Sequence, residues 1–237
     1  MSHFLDDEKP DLVIITEHGL PQENLQKTCL EGYSLIGGFS RKAHIKGGVA
    51  GYAKNGLEKE IKIINTSKDE TELICETALF EIKSNKQTLQ VLGVYRPPSA
   101  NLEHAIDVLT EQLNRALNTN KQTVLMGDIN VDNLTENSDN TKLDELLTAY
   151  GLARMSLPPT RVTKESSKSI DWICTNINPE LIQTSVVLSG LSDHSAQFAT
   201  LKILKPILNI TKEKKRPKKI LNYSKKNCKH KIGITYC

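Results

Sequence analysis

What the sequence lacks already limits the classes of protein to which this 237-residue chain can belong. No apolar run approaches the roughly 20 residues that a membrane-spanning helix needs. The first twenty residues contain five acidic ones, which is unlike a secretory signal. The five cysteines are scattered and form no CxxC pair, so neither a disulfide framework nor a zinc site is indicated. We therefore expect no membrane association, reduced thiols, and a nuclear or cytoplasmic location.

The composition that remains is ordinary, but the charge is unevenly distributed. With 38% hydrophobic and 25% charged residues, the chain is typical of a globular protein and unlike a disordered or collagen-like one. Residues 211–237 contain ten Lys or Arg and one acid, Glu213, which leaves 1–210 with 21 basic and 27 acidic residues. Such a basic segment can attract DNA or RNA, and a solvated terminus is an equally common explanation. We expect one domain at 1–205 and a basic, Lys-rich, flexible tail at 206–237.

The hydrophobic pattern predicts an α+β protein in which apolar strands end in polar loops. Leu or Ile recurs every three or four residues between Leu102 and Leu117, which predicts an amphipathic helix over 99–118. A second helix is predicted at 141–150. Short apolar, β-branched or alternating runs predict strands at 11–17, 47–54, 73–82, 88–95, 122–126, 169–175 and 196–203.

Acidic and amide side chains lie at the ends of several of these predicted strands. They are Glu17, Asp128 with Asn130, Asp171, and Asp193 beside His194. Oxygen ligands of this kind suit Mg²⁺, although a lone Asp after a strand is more often a turn former. The segment that begins at Asp128 also has the first three ligand positions of a calcium loop. It then departs from that motif, with Asn133 in place of glycine and Asp139 in place of glutamate.

The order of seven segments resembles the endonuclease/exonuclease/phosphatase superfamily, and specifically the reverse transcriptase-associated endonuclease domain of non-LTR retrotransposons. The resemblance covers roughly residues 4–203 and implies a DNase I-like fold, a four-layer α/β/β/α sandwich of two mixed β-sheets with the site residues in loops at one edge. The segments are PDLVIITE (10–17), GGVAGYAK (47–54), VYRPPSANLE (94–103), VLMGDINVD (124–132), YGLARMSLPPTRVT (150–163), SIDWICTN (169–176) and LSDHSAQF (191–198).

The resemblance also implies roles for individual residues. Glu17 and Asp193 match metal-binding carboxylates, with Mg²⁺ as the expected ion or Mn²⁺ in its place. Asp128 matches the aspartate that activates the attacking water, and Asn130 matches the amide that orients it. Tyr95 matches a tyrosine at the scissile phosphate.

The remaining site residues follow from the same resemblance. His194 matches an imidazole that stabilises charge on the phosphoryl oxygens, and Asp171 matches the carboxylate that pairs with it. Contacts to the substrate are expected from Arg96, Thr160, Arg161 and Ser169.

Together these observations predict a Mg²⁺-dependent DNA endonuclease that nicks a phosphodiester to leave a 3′-hydroxyl. DNA is the expected partner, with no small-molecule cofactor and no oligomer indicated. Two alternatives stay open: a catalytically inactive, transposon-derived remnant that at most binds nucleic acid, and a phosphoesterase of the same superfamily with another substrate.

One feature of the family has no counterpart at the start of this sequence. Domains of the family begin with a strand that carries a metal- and phosphate-binding Asn, but no Asn precedes Glu17 here. The chain is therefore expected to be truncated at its N-terminus. We expect a central strand to be missing, which would leave backbone groups of its neighbours unpaired.

Overall fold

The computed structural model describes residues 5, 7–84, 87–117, 121–203 and 228–236. The strands in chain order are β1 (Leu12–Thr16), β2 (Tyr33–Phe39), β3 (Val49–Lys54), β4 (Ile61–Thr66), β5 (Glu76–Ser84), β6 (Gln87–Tyr95), β7 (Gln122–Asp128), β8 (Ala153–Arg154), β9 (Arg161–Val162), β10 (Ser167–Lys168), β11 (Asp171–Thr175), β12 (Ile182–Val187), β13 (Ala196–Ile203) and β14 (Cys228–Tyr236). The helices are α1 (Gln22–Leu25), α2 (Leu102–Leu117) and α3 (Ser138–Ala149). Among the described residues, no helix is long and apolar enough to cross a membrane.

Two six-stranded mixed sheets form the centre of the molecule. Sheet A has the order β12-β13-β14-β1-β3-β2, and sheet B has the order β4-β5-β6-β7-β11-β8. The short strands β9 and β10 form a separate hairpin. The predicted four-layer, DNase I-like sandwich of two mixed sheets is therefore confirmed.

Strand alternation explains why apolar cores lie on both faces of each sheet. In β1, Leu12 and Ile14 belong to the core between the sheets, whereas Val13 and Ile15 pack on the outer face of sheet A near Leu25 of α1. On the outer face of sheet B, side chains of α2 and α3 cover residues that include Leu92, Leu125 and Trp172. These covered sheets fix the strand ends from which the polar loops emerge.

Strand β14 corrects the expectation that a central strand is missing. It pairs in parallel with β1 and antiparallel with β13, so it fills the middle of sheet A. Ile232 is fully buried in the core between the sheets, and Gly233 lies against the Phe198 ring, where a Cβ would come within 2.6 Å of Phe198 Cε1. The backbone groups of β1 and β13 are thus paired. The tail expected over 206–237 contains this strand, and 206–227 lies outside the described residues.

Other differences from the predicted elements are smaller. Strands β2, β4 and β12 were not predicted, because their sequences show only partial alternation and stay half exposed. Helix α2 follows Asn101, whose side chain accepts a hydrogen bond from the N–H of His104 at 3.1 Å. Helix α3 begins three residues before the predicted start, because Asn137 caps it by accepting from the N–H of Asn140 at 2.8 Å.

Candidate active site

The register of sheet B aligns three of the predicted site residues across neighbouring strands. Tyr95 of β6 lies opposite Asp128 of β7, and Asp128 lies opposite Asp171 of β11. Directly opposite residues of neighbouring strands are close in space. Strand pairing, rather than a flexible loop, therefore sets the spacing of these side chains.

The turn after β7 holds the Asp128 carboxylate in one orientation. Asn130 has a φ of +54°, and its backbone N–H donates to Asp128 Oδ1 at 2.9 Å. The Asn130 side-chain amide donates to Asp128 Oδ2 and to the carbonyl oxygen of Arg96, both at 2.9 Å. Gly127 is required just before, since a Cβ there would lie 1.9 Å from the Val94 carbonyl oxygen. This geometry supports the orienting role expected for Asn130.

His194 meets Asp171 at the buried side of the cleft. Its Nδ1 lies 3.1 Å from both carboxylate oxygens of Asp171, which is completely buried. Burial lowers the pKa of His194, but the hydrogen bond and the charge of Asp171 outweigh this and raise the pKa above its ordinary value. The pairing favours a protonated imidazole, and His194 lines the cleft.

Asp128 shares this buried corner with the His194–Asp171 pair. Ligand atoms of the three residues all lie within 4.8 Å of one another. Burial, followed by repulsion from the Asp171 carboxylate, raises the pKa of Asp128 well above its ordinary value. A raised pKa makes a carboxylate a better proton acceptor than an exposed aspartate.

Glu17 and Tyr95 form the wall contributed jointly by the two sheets. Glu17 directly follows β1 with a φ of +54°, and its backbone N–H donates to the Gly48 carbonyl at 2.8 Å. Its side chain hydrogen-bonds the Tyr95 hydroxyl. Burial, then the charges of Glu17 and Asp128, raise the pKa of Tyr95, so its hydroxyl stays protonated and can donate a hydrogen bond.

Arg161 and Asp193 form the open side of the same cleft. Arg161 Nε donates to Asp193 Oδ2 at 2.7 Å, and both side chains are about two-fifths exposed. The hydrogen bond and charge of Arg161 lower the pKa of Asp193. Backbone bonds also join this hairpin to the loop before β13: Val162 N–H donates to the Asp193 carbonyl at 3.2 Å. The cleft is lined by Glu17, Tyr95, Pro98, Asp128, Asn130, Arg161, Ser192, Asp193 and His194.

Three residues that were expected to contact substrate are instead buried supports of the site. Arg96 is 4% exposed and donates to the carbonyls of Ile129 at 3.1 Å and Ala100 at 2.5 Å. Ser169 is 1% exposed, and its N–H donates to Asp132 at 3.0 Å. Neither side chain lines the cleft, so the structure places Arg96 and Ser169 behind it, and their expected substrate contacts stay predictions.

Thr160 is the third of these supports. It is completely buried, and its hydroxyl accepts from the N–H groups of Ile170 and Asp171, each at 3.2 Å. Its carbonyl accepts from Ser195 N–H at 2.7 Å. Thr160 therefore joins the backbone of Asp171 to the backbone beside His194, and its expected contact with substrate stays a prediction.

A buried ion pair behind Tyr95 was not predicted from the sequence. Glu76 of β5 lies opposite Tyr95, and its carboxylate accepts from Arg41 Nε and Gly48 N–H, each at 2.5 Å. Arg41 stacks over the Tyr95 ring with its guanidinium carbon 5.9 Å from the centroid. A sign of the pair is visible only afterwards: Glu76 is a charged residue at the start of a strand whose next four residues, Thr77 to Phe80, are uncharged.

Comparisons with known proteins agree with this geometry. A family model described as endonuclease-reverse transcriptase matches residues 89–198, from β6 to the start of β13. No curated protein matches the sequence significantly.

Similar solved structures share the fold at low sequence identity. The endonuclease domain of TRAS1, a telomere-specific non-LTR retrotransposon, has a TM-score of 0.57 and 14% identity, over 81% of this chain and 86% of that one. An endonuclease/exonuclease/phosphatase family protein from Leptotrichia buccalis has a TM-score of 0.55 and 17% identity, over 82% and 88%. TDP2 from D. rerio, complexed with a single-strand DNA product, has a TM-score of 0.58 and 12% identity, over 81% and 86%. The chain therefore shares the fold of these endonuclease/exonuclease/phosphatase proteins, and residues 89–198 match the endonuclease-reverse transcriptase family model.

Proposed function

We propose that this protein is a Mg²⁺-dependent DNA endonuclease of the retrotransposon type, which hydrolyses a phosphodiester and leaves a 3′-hydroxyl. The observation that carries the proposal is the convergence of Asp128, Asn130 and His194 in one cleft with Glu17 and Tyr95, with Asp171 paired to His194 directly behind it. The family match to an endonuclease supports it.

The buried side of the cleft provides acid–base and electrostatic catalysis. Asp128, held by Asn130, accepts a proton from the attacking water, and its position contributes more than its basicity. His194, kept protonated by Asp171, places a positive charge against the nonbridging oxygens as negative charge develops there. The Tyr95 hydroxyl donates a further hydrogen bond at the phosphate.

The cleft also has the donor chemistry that a divalent cation needs. Glu17 and Asp193 are the carboxylates we propose as its ligands, and both line the cleft. Carboxylate oxygens with open positions for water suit Mg²⁺ or Mn²⁺. Such an ion would supply charge stabilisation at the phosphate and at the leaving oxygen. Arg161 already shows that Asp193 accepts a cation at this position.

One exposed cation and the fold relatives support DNA as the substrate. Arg161 stands at the open side of the cleft, where a phosphate can approach it from solvent. Among the fold relatives, TDP2 was crystallised with a single-strand DNA product, and TRAS1 belongs to a retrotransposon. Both support nucleic acid over a small phosphate ester.

The proposal is tested by nicking of supercoiled plasmid by the full chain, in Mg²⁺ and in EDTA. We expect conversion to the open-circular form in Mg²⁺ only, with 3′-hydroxyl ends that a DNA polymerase can extend. A His104→Ala variant serves as control, because His104 is an exposed histidine on α2 outside the cleft. A folded protein that leaves the plasmid intact in both Mg²⁺ and Mn²⁺ would contradict the proposal and favour an inactive remnant.

A further inference from the structure

The buried ion pair of Arg41 and Glu76 takes no part in the chemistry proposed above. Arg41 Nε lies 2.5 Å from Glu76 Oε1, and the two side chains are 6% and 0% exposed. Burial raises the pKa of Glu76 above its ordinary value, although the Gly48 N–H and the charge of Arg41 oppose the shift. Buried ion pairs stabilise a fold only weakly, because the cost of desolvation opposes the attraction between the charges. Stability alone therefore does not explain why two charges are buried here.

The pair holds the Tyr95 ring from two directions. Glu76 of β5 lies directly opposite Tyr95 of β6 in the antiparallel register. The guanidinium carbon of Arg41 lies 5.9 Å from the centroid of the Tyr95 ring, within the range of a cation–π contact. Both the backbone of Tyr95 and the face of its ring are thus in contact with the pair.

The same pair is bonded to the backbone that carries Glu17. Glu76 Oε2 accepts from the Gly48 N–H at 2.5 Å, and the Gly48 carbonyl accepts from the Glu17 N–H at 2.8 Å. Arg41 packs directly on Gly47, where a Cβ would lie 2.3 Å from Arg41 Nε. Glu17 has a φ of +54°, a conformation that a residue other than glycine keeps only where its surroundings hold it. The bond from Gly48 is one of the contacts that hold it.

These contacts close into a ring around one wall of the cleft. Glu17 hydrogen-bonds the Tyr95 hydroxyl through its side chain. Tyr95 lies under Arg41, and Arg41 is paired with Glu76. Glu76 returns to Glu17 through Gly48. Only Glu17 and Tyr95 of this ring line the cleft, so the ion pair can act on a substrate only through them.

We propose that Arg41 and Glu76 are positioning residues, which together hold Glu17 and Tyr95 where the metal ion and the phosphate need them. This inference rests on the proposed nuclease function and adds the residues that set the geometry of its metal-binding wall. Groups that orient a metal ligand typically contribute about 10–100-fold to metal affinity or activity. Loss of the pair should therefore change metal binding and the rate of cleavage, and leave the affinity for DNA unchanged.

The test uses the full chain with two changes in the pair. Glu76→Gln removes one charge and leaves Arg41 buried without its partner. The double variant Arg41→Met, Glu76→Leu removes both charges and keeps the volume apolar, so that its stability should stay close to that of wild type.

Glu81→Gln is the matched control for these changes. Glu81 is a second buried carboxylate of β5, paired with Lys121 at 2.7 Å, and it does not contact the ring of residues around Tyr95. The substitution is thus the same in chemistry, strand and burial, and differs only in its distance from the site.

Two quantities are compared, the rate constant of single-turnover cleavage in Mg²⁺ and the dissociation constant of Mn²⁺ from calorimetric titration without DNA. We expect Glu76→Gln and the double variant to lower the rate constant and to weaken Mn²⁺ binding, each by roughly 10–100-fold. The protein concentration at half-maximal rate should not change. Glu81→Gln should equal wild type in all three measurements.

Three results would overturn the inference. They are a folded double variant with the rate constant and Mn²⁺ affinity of wild type, an equal loss in Glu81→Gln, and unfolding of both pair variants in circular dichroism, which would assign the pair to stability. A wild-type protein that binds Mn²⁺ but leaves DNA intact would contradict the nuclease function, and the Mn²⁺ affinities would still decide whether the pair positions Glu17. A wild-type protein that does neither contradicts both.

Discussion

The two sides of the cleft differ in burial. The buried side, with Asp128 and Asp171, is suited to catalysis, and the open side, with Arg161 and Asp193, is suited to binding. Asp171 is 0% and Asp128 2% exposed, whereas the side chains of Arg161 and Asp193 are 41% and 43% exposed. On the buried side each group has a fixed partner before substrate arrives, and charges act strongly there because little water screens them. On the open side one ion pair faces solvent, where a phosphate or a metal ion can replace either partner.

Removing the imidazole of His194 should cause the largest loss of cleavage activity. We expect His194→Ala to reduce the rate of cleavage roughly 10²–10⁴-fold, because a positioned proton-carrying group contributes about that much. The circular-dichroism spectrum should not change, since His194 lies in a loop. The control His104→Ala should cleave at the wild-type rate, and a similar loss in both variants would contradict the role of His194.

Changing the partner of His194 should shift the pH dependence downwards. The Asp171 hydrogen bond and charge raise the pKa of His194, and the Asp171 charge also raises that of Asp128. His194 must be protonated and Asp128 ionised, so the two groups limit the rate at high and low pH respectively. In Asp171→Asn both pKa values fall, and both limbs of the profile of kcat/KM should move to lower pH. An unchanged alkaline limb would show that His194 does not titrate as assigned.

Thr160 allows a test of how the buried side is held. Thr160→Val keeps the size of the side chain but removes the acceptor for the N–H groups of Ile170 and Asp171. Leaving them unpaired should cost about 1–3 kcal/mol of unfolding free energy, measured by urea denaturation. Thr163→Val is the control, since Thr163 occupies an exposed position in the same hairpin. Equal stability of the two variants would mean that the Thr160 hydroxyl does not support the site.

Substitution of Arg161 on the open side should have smaller effects, with tighter binding of the metal ion and weaker binding of DNA. Arg161→Gln removes the cation that competes for Asp193, so the protein should bind Mn²⁺ a few-fold more tightly in calorimetric titration. The same variant should raise KM for DNA by about tenfold, because it loses one charge-assisted phosphate contact. A weaker affinity for Mn²⁺ in Arg161→Gln would contradict Asp193 as a proposed metal ligand.

Much of the buried side could be predicted from the sequence, because a strand end is visible locally as an apolar run next to a polar residue. Apolar patterns placed Glu17, Asp128 and Asp171 at the ends of predicted strands, and the family resemblance placed these ends and His194 at one edge of the fold. The structure confirms the shared cleft for all but Asp171, which it places directly behind His194. Local patterns suffice where a strand and its functional residue are neighbours in the chain.

Long-range pairing could not be predicted. Strand β14 joins β1 from more than 200 residues away, and its Lys-rich neighbourhood made it look like part of a tail. The Arg41–Glu76 pair likewise joins two segments that no local motif connects. Polar residues such as Thr160, Ser169 and Arg96 were taken for substrate contacts because burial of a polar side chain depends on neighbours from distant strands.

The most direct test of catalysis on the buried side and binding on the open side is single-turnover cleavage of a defined duplex, with excess protein in Mg²⁺. Wild type is compared with His194→Ala and Arg161→Gln. The maximal rate constant measures chemistry, and the protein concentration at half-maximal rate measures binding. We predict that His194→Ala lowers the rate constant at unchanged half-maximal concentration, whereas Arg161→Gln raises that concentration and leaves the rate constant within a few-fold of wild type. The reverse assignment, or near wild-type cleavage by His194→Ala, would contradict the account.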